Sequence, residues 1–150
     1  MSRLTDQPLD PAAALAGLGD AAHGAVVNFV GRVRGRSGER TVLRLEYEAY
    51  APLAEQVLAE IEAEVAARWP GSQCVIRHRL GVCLPGEVTV VIGVASPHRG
   101  DAFEACRHAL ERLKHEAPIW KREVYPDGSA WVRGQDAHPT SPRPAGTPLR

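Results

Sequence analysis

The chain has 150 residues, which suits one domain with a modest core, and its hydrophobic content of 44% excludes wholesale disorder. Basic and acidic residues each total 18, so the formal net charge is zero and a general nucleic-acid binder is disfavoured. No apolar run approaches the roughly 20 residues that span a bilayer, and no secretory signal is visible at the N-terminus. Three cysteines without a C-x-x-C pair argue against a disulfide framework or a zinc site and favour a reducing, cytoplasmic setting.

In chain order, hydrophobic periodicity and turn residues predict pairs of strands separated by helices. A short helix from Pro11 to Ala16, capped by Asp10, comes first. The predicted strands are 24–30, 41–48, 74–80, 87–95, 120–125 and 129–132, and the main helices run over about 52–69 and 101–117. Segment 35–40 is predicted to be a flexible loop and 81–86 a turn.

This order predicts an α+β fold: a single domain with a mixed or antiparallel sheet, packed with two main helices plus small β additions. We expect a variable N-terminal lead-in over 1–23, the main domain over 24–133 and a proline-rich, flexible tail over 134–150. Both main helices carry apolar stripes at helical spacing. The first stripe is Leu53, Val57, Ile61, Val65 and Trp69, widened by Leu58 and Ala66, and the second is Phe103, Cys106, Leu110, Leu113 and Ala117.

Several common catalytic motifs are missing from the sequence. It contains no G-x-S-x-G, no Walker A motif and no H-E-x-x-H, and 81–86 lacks the glycine spacing of a dinucleotide fingerprint. His78 lies between two arginines, which disfavours a divalent cation. Cys106 and His108 are two residues apart on a helix and therefore face different directions.

The positive signal is cationic. His98 and Arg99 lie between a strand and a helix start, where free backbone N–H groups would welcome a phosphate or a carboxylate, although a solvated turn explains the pair equally well. Lys114 lies near the other end of that helix, where a cation is also favourable for structural reasons. Lys121 and Arg122 lie in a predicted strand after a proline. A favourable cation at a helix end therefore does not explain them well.

Arg32 and Arg34 share a face after the first strand, since residues two apart in a strand align, although a solvated strand end is an alternative. If all these clusters converge, the neutral chain still has a pocket that attracts an anion. Crowded cations would also lower the pKa of a lysine, which makes a neutral amine available as a base or nucleophile near pH 7.

Four separated segments occur in this order: Gly24-Ala-Val-Val-Asn-Phe-Val-Gly-Arg-Val-Arg34, Leu45-Glu-Tyr-Glu-Ala-Tyr50, Ser96-Pro-His-Arg99 with Ala102-Phe-Glu-Ala105, and Leu113-Lys-His-Glu-Ala-Pro-Ile-Trp-Lys-Arg-Glu123. In order and spacing, this combination resembles the large, catalytic subunit of molybdopterin synthase over about residues 24 to 133. The departures are mild. Leu53 stands where a methionine is common, the loop 35–40 differs, and the tail beyond 133 is poorly matched.

The resemblance implies a sulfur transferase of molybdenum cofactor biosynthesis that converts cyclic pyranopterin monophosphate to molybdopterin by installing two sulfurs as a dithiolene. Sulfur would arrive on a small ubiquitin-like carrier subunit as a C-terminal Gly-Gly thiocarboxylate. A homodimer of large subunits would form the centre of a heterotetramer. The sequence ends Gly146-Thr-Pro-Leu-Arg150, so we expect a separate carrier. The resemblance implies no cofactor, no metal, no nucleic acid and no membrane.

The resemblance also assigns residues. Lys114 and Lys121 would be catalytic, as general acid/base or electrostatic stabilisers that also guide the carrier tail. Arg34, His98 and Arg99 would hold the substrate phosphate. The full set of implied substrate contacts is Arg32, Val33, Arg34, His98, Arg99, Lys114, Lys121, Arg122 and Glu123.

Two other functions are compatible with parts of the sequence. A non-catalytic scaffold could bind a ubiquitin-like tail by adding a strand to its sheet edge, although it need not retain His98, Arg99, Lys114 and Lys121. A persulfide sulfurtransferase would use a cysteine. Cys106, however, lies on an apolar helix stripe, where a buried packing role is favoured.

Overall fold

The structure is a computed structural model that describes residues 2–132. In this range the helices are α1 (Pro11–Leu15), α2 (Ala51–Arg68) and α3 (Arg99–Glu116). The strands are β1 (Leu4–Thr5), β2 (Ala25–Arg32), β3 (Arg36–Ser37), β4 (Arg40–Thr41), β5 (Arg44–Ala49), β6 (Gln73–Arg79), β7 (Gly81–Cys83), β8 (Val88–Ser96), β9 (Ile119–Tyr125) and β10 (Gly128–Val132). The predicted α+β fold with two main helices is confirmed.

The main strands form two four-stranded sheets. The first sheet has the order β1-β6-β8-β2, in which β8 pairs antiparallel with β2 and β6 while β1 runs parallel to β6. The second sheet has the order β10-β9-β5-β7 and is antiparallel throughout. Helix α3 packs on β8 and β2, and α2 packs on β6 and α3. The core lies between these helices and the sheets.

Helix α2 buries Leu58, Ile61 and Val65 of the predicted stripe but not Leu53. Ala54, Leu58, Ile61 and Val65 are completely buried, whereas Leu53 is 41% exposed. A strict four-residue series drifts around a helix that has 3.6 residues per turn, so its first leucine leaves the face that packs on the core.

Helix α3 also corrects the predicted stripe. Phe103 is 63% exposed. The buried face consists of Ala102, Ala105, Cys106, Ala109 and Leu113. These mostly small side chains let α3 lie close to β8 and β2. The predicted stripe relied on large apolar residues such as Phe103, which lies at the edge of the buried face.

Residues before β2 are part of the packed fold. Strand β1 extends the first sheet, with Leu4 opposite His78. Leu15, the last residue of α1, and Leu18 cover Gly93 of β8 so closely that a Cβ at Gly93 would clash with the Leu15 side chain. The described part of the lead-in predicted over 1–23, residues 2–23, therefore packs on the sheet, while the predicted tail over 134–150 lies outside the described residues.

The segment predicted as a flexible loop over 35–40 forms a small hairpin instead. Strands β3 and β4 pair antiparallel, with Arg36 opposite Thr41. Gly38 in the turn has a φ of +60°, which glycine adopts without strain. None of the helices described between residues 2 and 132 is both long and apolar enough to cross a lipid bilayer.

Candidate active site

A cleft of about 460 Å³ lies between the two sheets, beside the C-terminal half of α3. This volume is in the usual range for small-ligand sites, about 300–1,000 Å³. Five basic residues and one acidic residue line it, which makes the cleft strongly cationic in a chain of zero net charge. They are Arg32, Arg34, Arg36, Lys114, Lys121 and Glu123.

Strand pairing in the second sheet builds one wall of the cleft. Tyr47 of β5 lies opposite Lys121 of β9, and Leu45 lies opposite Glu123. Directly opposed residues of antiparallel strands share a face, and residues two apart along a strand also share it. These four side chains therefore point the same way, and all four line the cleft.

Lys114 and Lys121 meet in the cleft from different elements. The last turn of α3 carries Lys114, and β9 carries Lys121. Burial, followed by the nearby charge of Lys121, lowers the pKa of Lys114 to about 8. Burial also lowers the pKa of Lys121, against the opposing effect of the Glu123 charge. At pH 7 about one tenth of Lys114 is therefore an uncharged amine.

The two lysines are unusual in the composition of this chain. They are its only lysines, since the other sixteen basic residues are arginines. Arginine stays charged at every physiological pH, whereas a desolvated lysine can exchange a proton near neutrality. The fold thus places both lysine amines of the chain in one cleft.

Glu123 is the acidic residue of the cleft wall and is only 4% exposed. Its carboxylate accepts a hydrogen bond of 2.7 Å from the Tyr125 hydroxyl. Burial, together with this hydrogen bond, raises the pKa of Tyr125, so the hydroxyl remains a donor at neutral pH. The arrangement holds a negative charge two residues along β9 from Lys121.

The end of β2 and the segment that follows it contribute arginine side chains to the cleft. The side chain of Val33, in the same segment, does not line the cleft. Arg32, Arg34 and Arg36 line the cleft at exposed positions, and Arg32 Nε donates a 3.0 Å hydrogen bond to the Gly86 carbonyl. Val33 is 4% exposed and packs in the core. Alternation along an extended chain explains why the valine turns away from its arginine neighbours.

His98 and Arg99 are exposed at the opposite end of α3 from Lys114. Fifteen residues separate Arg99 from Lys114, which corresponds to about 22 Å along a helix. Within one chain, the basic clusters therefore do not all converge. The arginines after β2 reach the two lysines, and the His98–Arg99 pair does not.

Arg122 lies outside the cleft lining. Its guanidinium forms a hydrogen-bonded ion pair with Glu46, its partner on β5, and lies 5.7 Å from the centre of the Trp131 ring. Glu46 also accepts a 2.7 Å hydrogen bond from Arg44 Nε. Since neighbouring residues of a strand face opposite ways, Lys121 in the cleft requires Arg122 on the other face.

The cysteines are unsuited to nucleophilic sulfur chemistry. Burial raises the pKa of Cys74, Cys83 and Cys106, which leaves little thiolate at neutral pH. None of the three lines the cleft. Within residues 2–132, no group of three or more His, Cys, Asp and Glu side chains is placed to hold a metal ion.

Three polar side chains that line the cleft were not assigned to the site from the sequence: Tyr47, Thr89 and Arg36. Tyr47 lies in the quoted segment Leu45-Glu-Tyr-Glu-Ala-Tyr50, where period-two alternation already puts it on the same face as Leu45. Burial raises the pKa of Tyr47, and its hydroxyl hydrogen-bonds with Thr89. Arg36 was overlooked because its segment was interpreted as a loop.

These features define an α+β domain with an arginine-lined anion cleft and a half-buried pair of lysines whose pKa values are lowered. Residues 4–116 match the family model MoaE, described as MoaE protein. The chain belongs to this family.

The relatives agree with this membership. A molybdopterin synthase catalytic subunit from Bacillus subtilis (strain 168) is 48% identical over 112 residues, covering 75% of this chain and 71% of the relative. A crystal structure of molybdopterin synthase from Staphylococcus aureus matches with a TM-score of 0.84 and 40% identity, covering 89% of this chain and 97% of that one. A complex of subunits 1 and 2 of the molybdopterin-converting factor from Helicobacter pylori 26695 has the same fold, with a TM-score of 0.67, 23% identity and coverage of 85% and 86%.

The predicted assignment is thereby confirmed. The chain is an enzyme of molybdenum cofactor biosynthesis, with the role of a molybdopterin synthase catalytic subunit.

Proposed function

We propose that the cleft binds cyclic pyranopterin monophosphate and converts it to molybdopterin by installing two sulfurs as a dithiolene. The observation that carries the proposal is the pair of half-buried lysines within an arginine-lined cleft of a MoaE-family chain. The cleft volume of about 460 Å³ suits a tricyclic pterin with one phosphate.

The arginines supply the anion site. Arg34 and Arg32 hold the substrate phosphate, with Arg36 of the hairpin beside them. Charge-assisted hydrogen bonds contribute about 1.5–3 kcal/mol each, and the planar guanidinium matches two phosphate oxygens at once. Because these arginines are exposed, the phosphate is gripped at the solvent side while the pterin reaches inward to the lysines.

The lysines supply proton transfer and charge stabilisation. With its pKa near 8, Lys114 is present in both protonation states around neutral pH and acts as the general base or acid. Lys121, whose charged form is favoured by the nearby Glu123 carboxylate, stabilises the negative charge that develops on oxygen or sulfur. Both amines also attract the anionic end of the sulfur donor.

The sulfur donor is a small ubiquitin-like carrier subunit whose C-terminal Gly-Gly thiocarboxylate enters the cleft. A Gly-Gly tail is thin enough to lie beside a bound pterin, and its negative end matches the cationic lining. The two-subunit complex from Helicobacter pylori is a precedent for a partner on this fold. The reducing cytoplasm that suits a thiocarboxylate remains our prediction for the location.

We further propose a homodimer of this chain within a heterotetramer, in which His98 and Arg99 serve the cleft of the other copy. One chain holds this pair about 22 Å from its own Lys114, so a second copy is needed if both groups contact one substrate. A mixture of Lys114→Ala/Lys121→Ala and His98→Ala/Arg99→Ala chains tests this arrangement. Randomly mixed dimers should recover about one quarter of wild-type activity, and no recovery would place His98 and Arg99 outside a shared site.

The test of the proposed reaction is a conversion assay with purified chain, cyclic pyranopterin monophosphate and thiocarboxylated carrier. Wild-type chain should form molybdopterin, and Lys121→Ala should reduce turnover about 100-fold or more while leaving the protein folded. Full turnover by Lys121→Ala would overturn the assignment. Binding of the carrier without conversion by the wild-type chain would instead support the non-catalytic scaffold.

A further inference from the structure

His78 is a buried histidine close to the lysines, and the mechanism above gives it no role. It lies near the end of β6 and is only 1% exposed. Its Nδ1 atom is 2.7 Å from the carbonyl oxygen of Arg79. Its ring meets the Tyr47 ring edge-on, with centroids 5.1 Å apart and planes at 72°. Both contacts fix the orientation of the imidazole.

The backbone contact also fixes the tautomer. A carbonyl oxygen only accepts hydrogen bonds, so Nδ1 carries the hydrogen and donates it. Burial, followed by the charge of Lys114, lowers the pKa of His78 to about 3, so the ring is neutral in the working pH range. Nε2 therefore carries a lone pair and is a hydrogen-bond acceptor.

A small cavity connects this acceptor with the amines. Its volume is about 20 Å³, and its polar lining consists of His78, Tyr47, Lys114 and Lys121. A cavity of about 10–15 Å³ on this measure holds one water molecule. The same two lysines and Tyr47 also line the large cleft, so a group in the small cavity lies behind the reacting amines.

We propose that His78 is a positioning residue for Lys114: through Nε2 and one water molecule in the small cavity, it accepts a hydrogen bond from the amine and aims it at the cleft. The inference rests on the catalytic role proposed for the lysines. Without this acceptor the amine would lose its anchor on the side away from substrate. His78 itself stays neutral and does not touch substrate.

The surroundings make this role more specific than packing alone. The titratable and charged groups that face the site are Tyr47 from β5, Lys114 from α3, Lys121 and Glu123 from β9, and Arg34 from the segment after β2. Most of these groups are cationic or neutral donors. A neutral acceptor among them stabilises an ammonium without drawing it out of the cleft as a carboxylate would.

Two substitutions separate positioning from packing. His78→Gln keeps an acceptor, whereas His78→Leu removes it and keeps an apolar side chain in the core. The full chain is labelled with ¹³C-lysine and titrated by NMR without substrate or carrier. Because the chain has two lysines, each resonance can be assigned from a single Lys114→Arg variant.

We expect His78→Leu to lower the pKa of Lys114 by about one unit, because the ammonium loses an acceptor, and His78→Gln to keep it close to the wild-type value. In the conversion assay, His78→Leu should lower kcat about tenfold or more with little change in KM, and should move the pH dependence of kcat to lower pH. His108→Gln is the matched control, since His108 pairs with Glu64 outside the cleft and should change neither readout.

An unchanged pKa of Lys114 in folded His78→Leu would overturn the proposal, as would equal losses in the leucine and glutamine variants. If neither variant folds, ¹⁵N-histidine spectra of the wild-type chain decide instead: the proposal requires a neutral Nδ1–H tautomer whose Nε2 signal responds when Lys114 titrates. A shifted lysine pKa in a chain that makes no molybdopterin would support the positioning role and refute the reaction proposed above.

Discussion

Replacing Lys114 by methionine should make the protein more stable and inactive at the same time. Methionine keeps the unbranched stem and removes the ammonium. The pKa of Lys114 falls from an ordinary 10.5 to about 8 in the folded chain. At about 1.4 kcal/mol per pKa unit, the full shift corresponds to about 3–4 kcal/mol, and residual solvent contact reduces the expected gain in unfolding free energy to about 1–3 kcal/mol at pH 7.

The sign of the effect depends on pH. The unfolded chain holds the lysine proton more tightly than the folded chain does. The cost of keeping Lys114 charged in the cleft is therefore complete below pH 8 and disappears as the pH rises through about 10.5. The stability difference between Lys114→Met and the wild type should shrink over that interval.

Urea unfolding of both proteins at pH 7 and at pH 10.5 measures this difference, with turnover measured in parallel. Activity should fall about 100-fold or more, as for loss of a general base. Arg107→Met removes an exposed cation from the same helix and should change the unfolding free energy by less than about 0.5 kcal/mol. The reasoning would be refuted if Lys114→Met were less stable than the wild type at pH 7. It would also be refuted if the difference in unfolding free energy were the same at pH 7 and pH 10.5.

Four further predictions concern the cleft and its surroundings. Turnover should rise with pH through an apparent pKa near 8, because the deprotonated Lys114 amine is the base; a pH–rate profile with saturating carrier measures it. Arg34→Ala should raise KM for the phosphorylated pterin about 10- to 150-fold, while a kcat loss without any KM change would remove Arg34 from phosphate binding. Cys106→Ala should leave turnover per folded protein unchanged, and a fall in turnover per folded protein would support a thiol mechanism. Arg122→Ala should lower the unfolding free energy by up to about 1 kcal/mol by removing the ion pair with Glu46 and should leave KM within twofold, as substrate titrations can check.

The sequence determined the elements and several of the residues that matter. Period-two alternation and helical spacing located both main helices and the principal strands, because these patterns depend on neighbours a few residues away. The same local rules separate Lys121 from Arg122 on β9. The resemblance drawn from four segments correctly indicated the family, because the order and spacing of these segments are visible in the sequence without knowledge of the fold.

Tertiary structure decided which of these residues meet. Arg34 lies 80 residues before Lys114 in the sequence, and it meets Lys114 and Lys121 only because the segment after β2, helix α3 and strand β9 line the same cleft. His98 and Arg99 carry an equally basic signal, yet the rigid length of α3 holds them about 22 Å from Lys114.

Burial was also decided by packing rather than by local pattern. His78 offers no functional signal in the sequence, since a histidine between two arginines is unremarkable there. The fold encloses it against Tyr47 and the lysines. The pKa shift of Lys114 has the same origin, because desolvation depends on every element that surrounds an amine and not on its sequence neighbours.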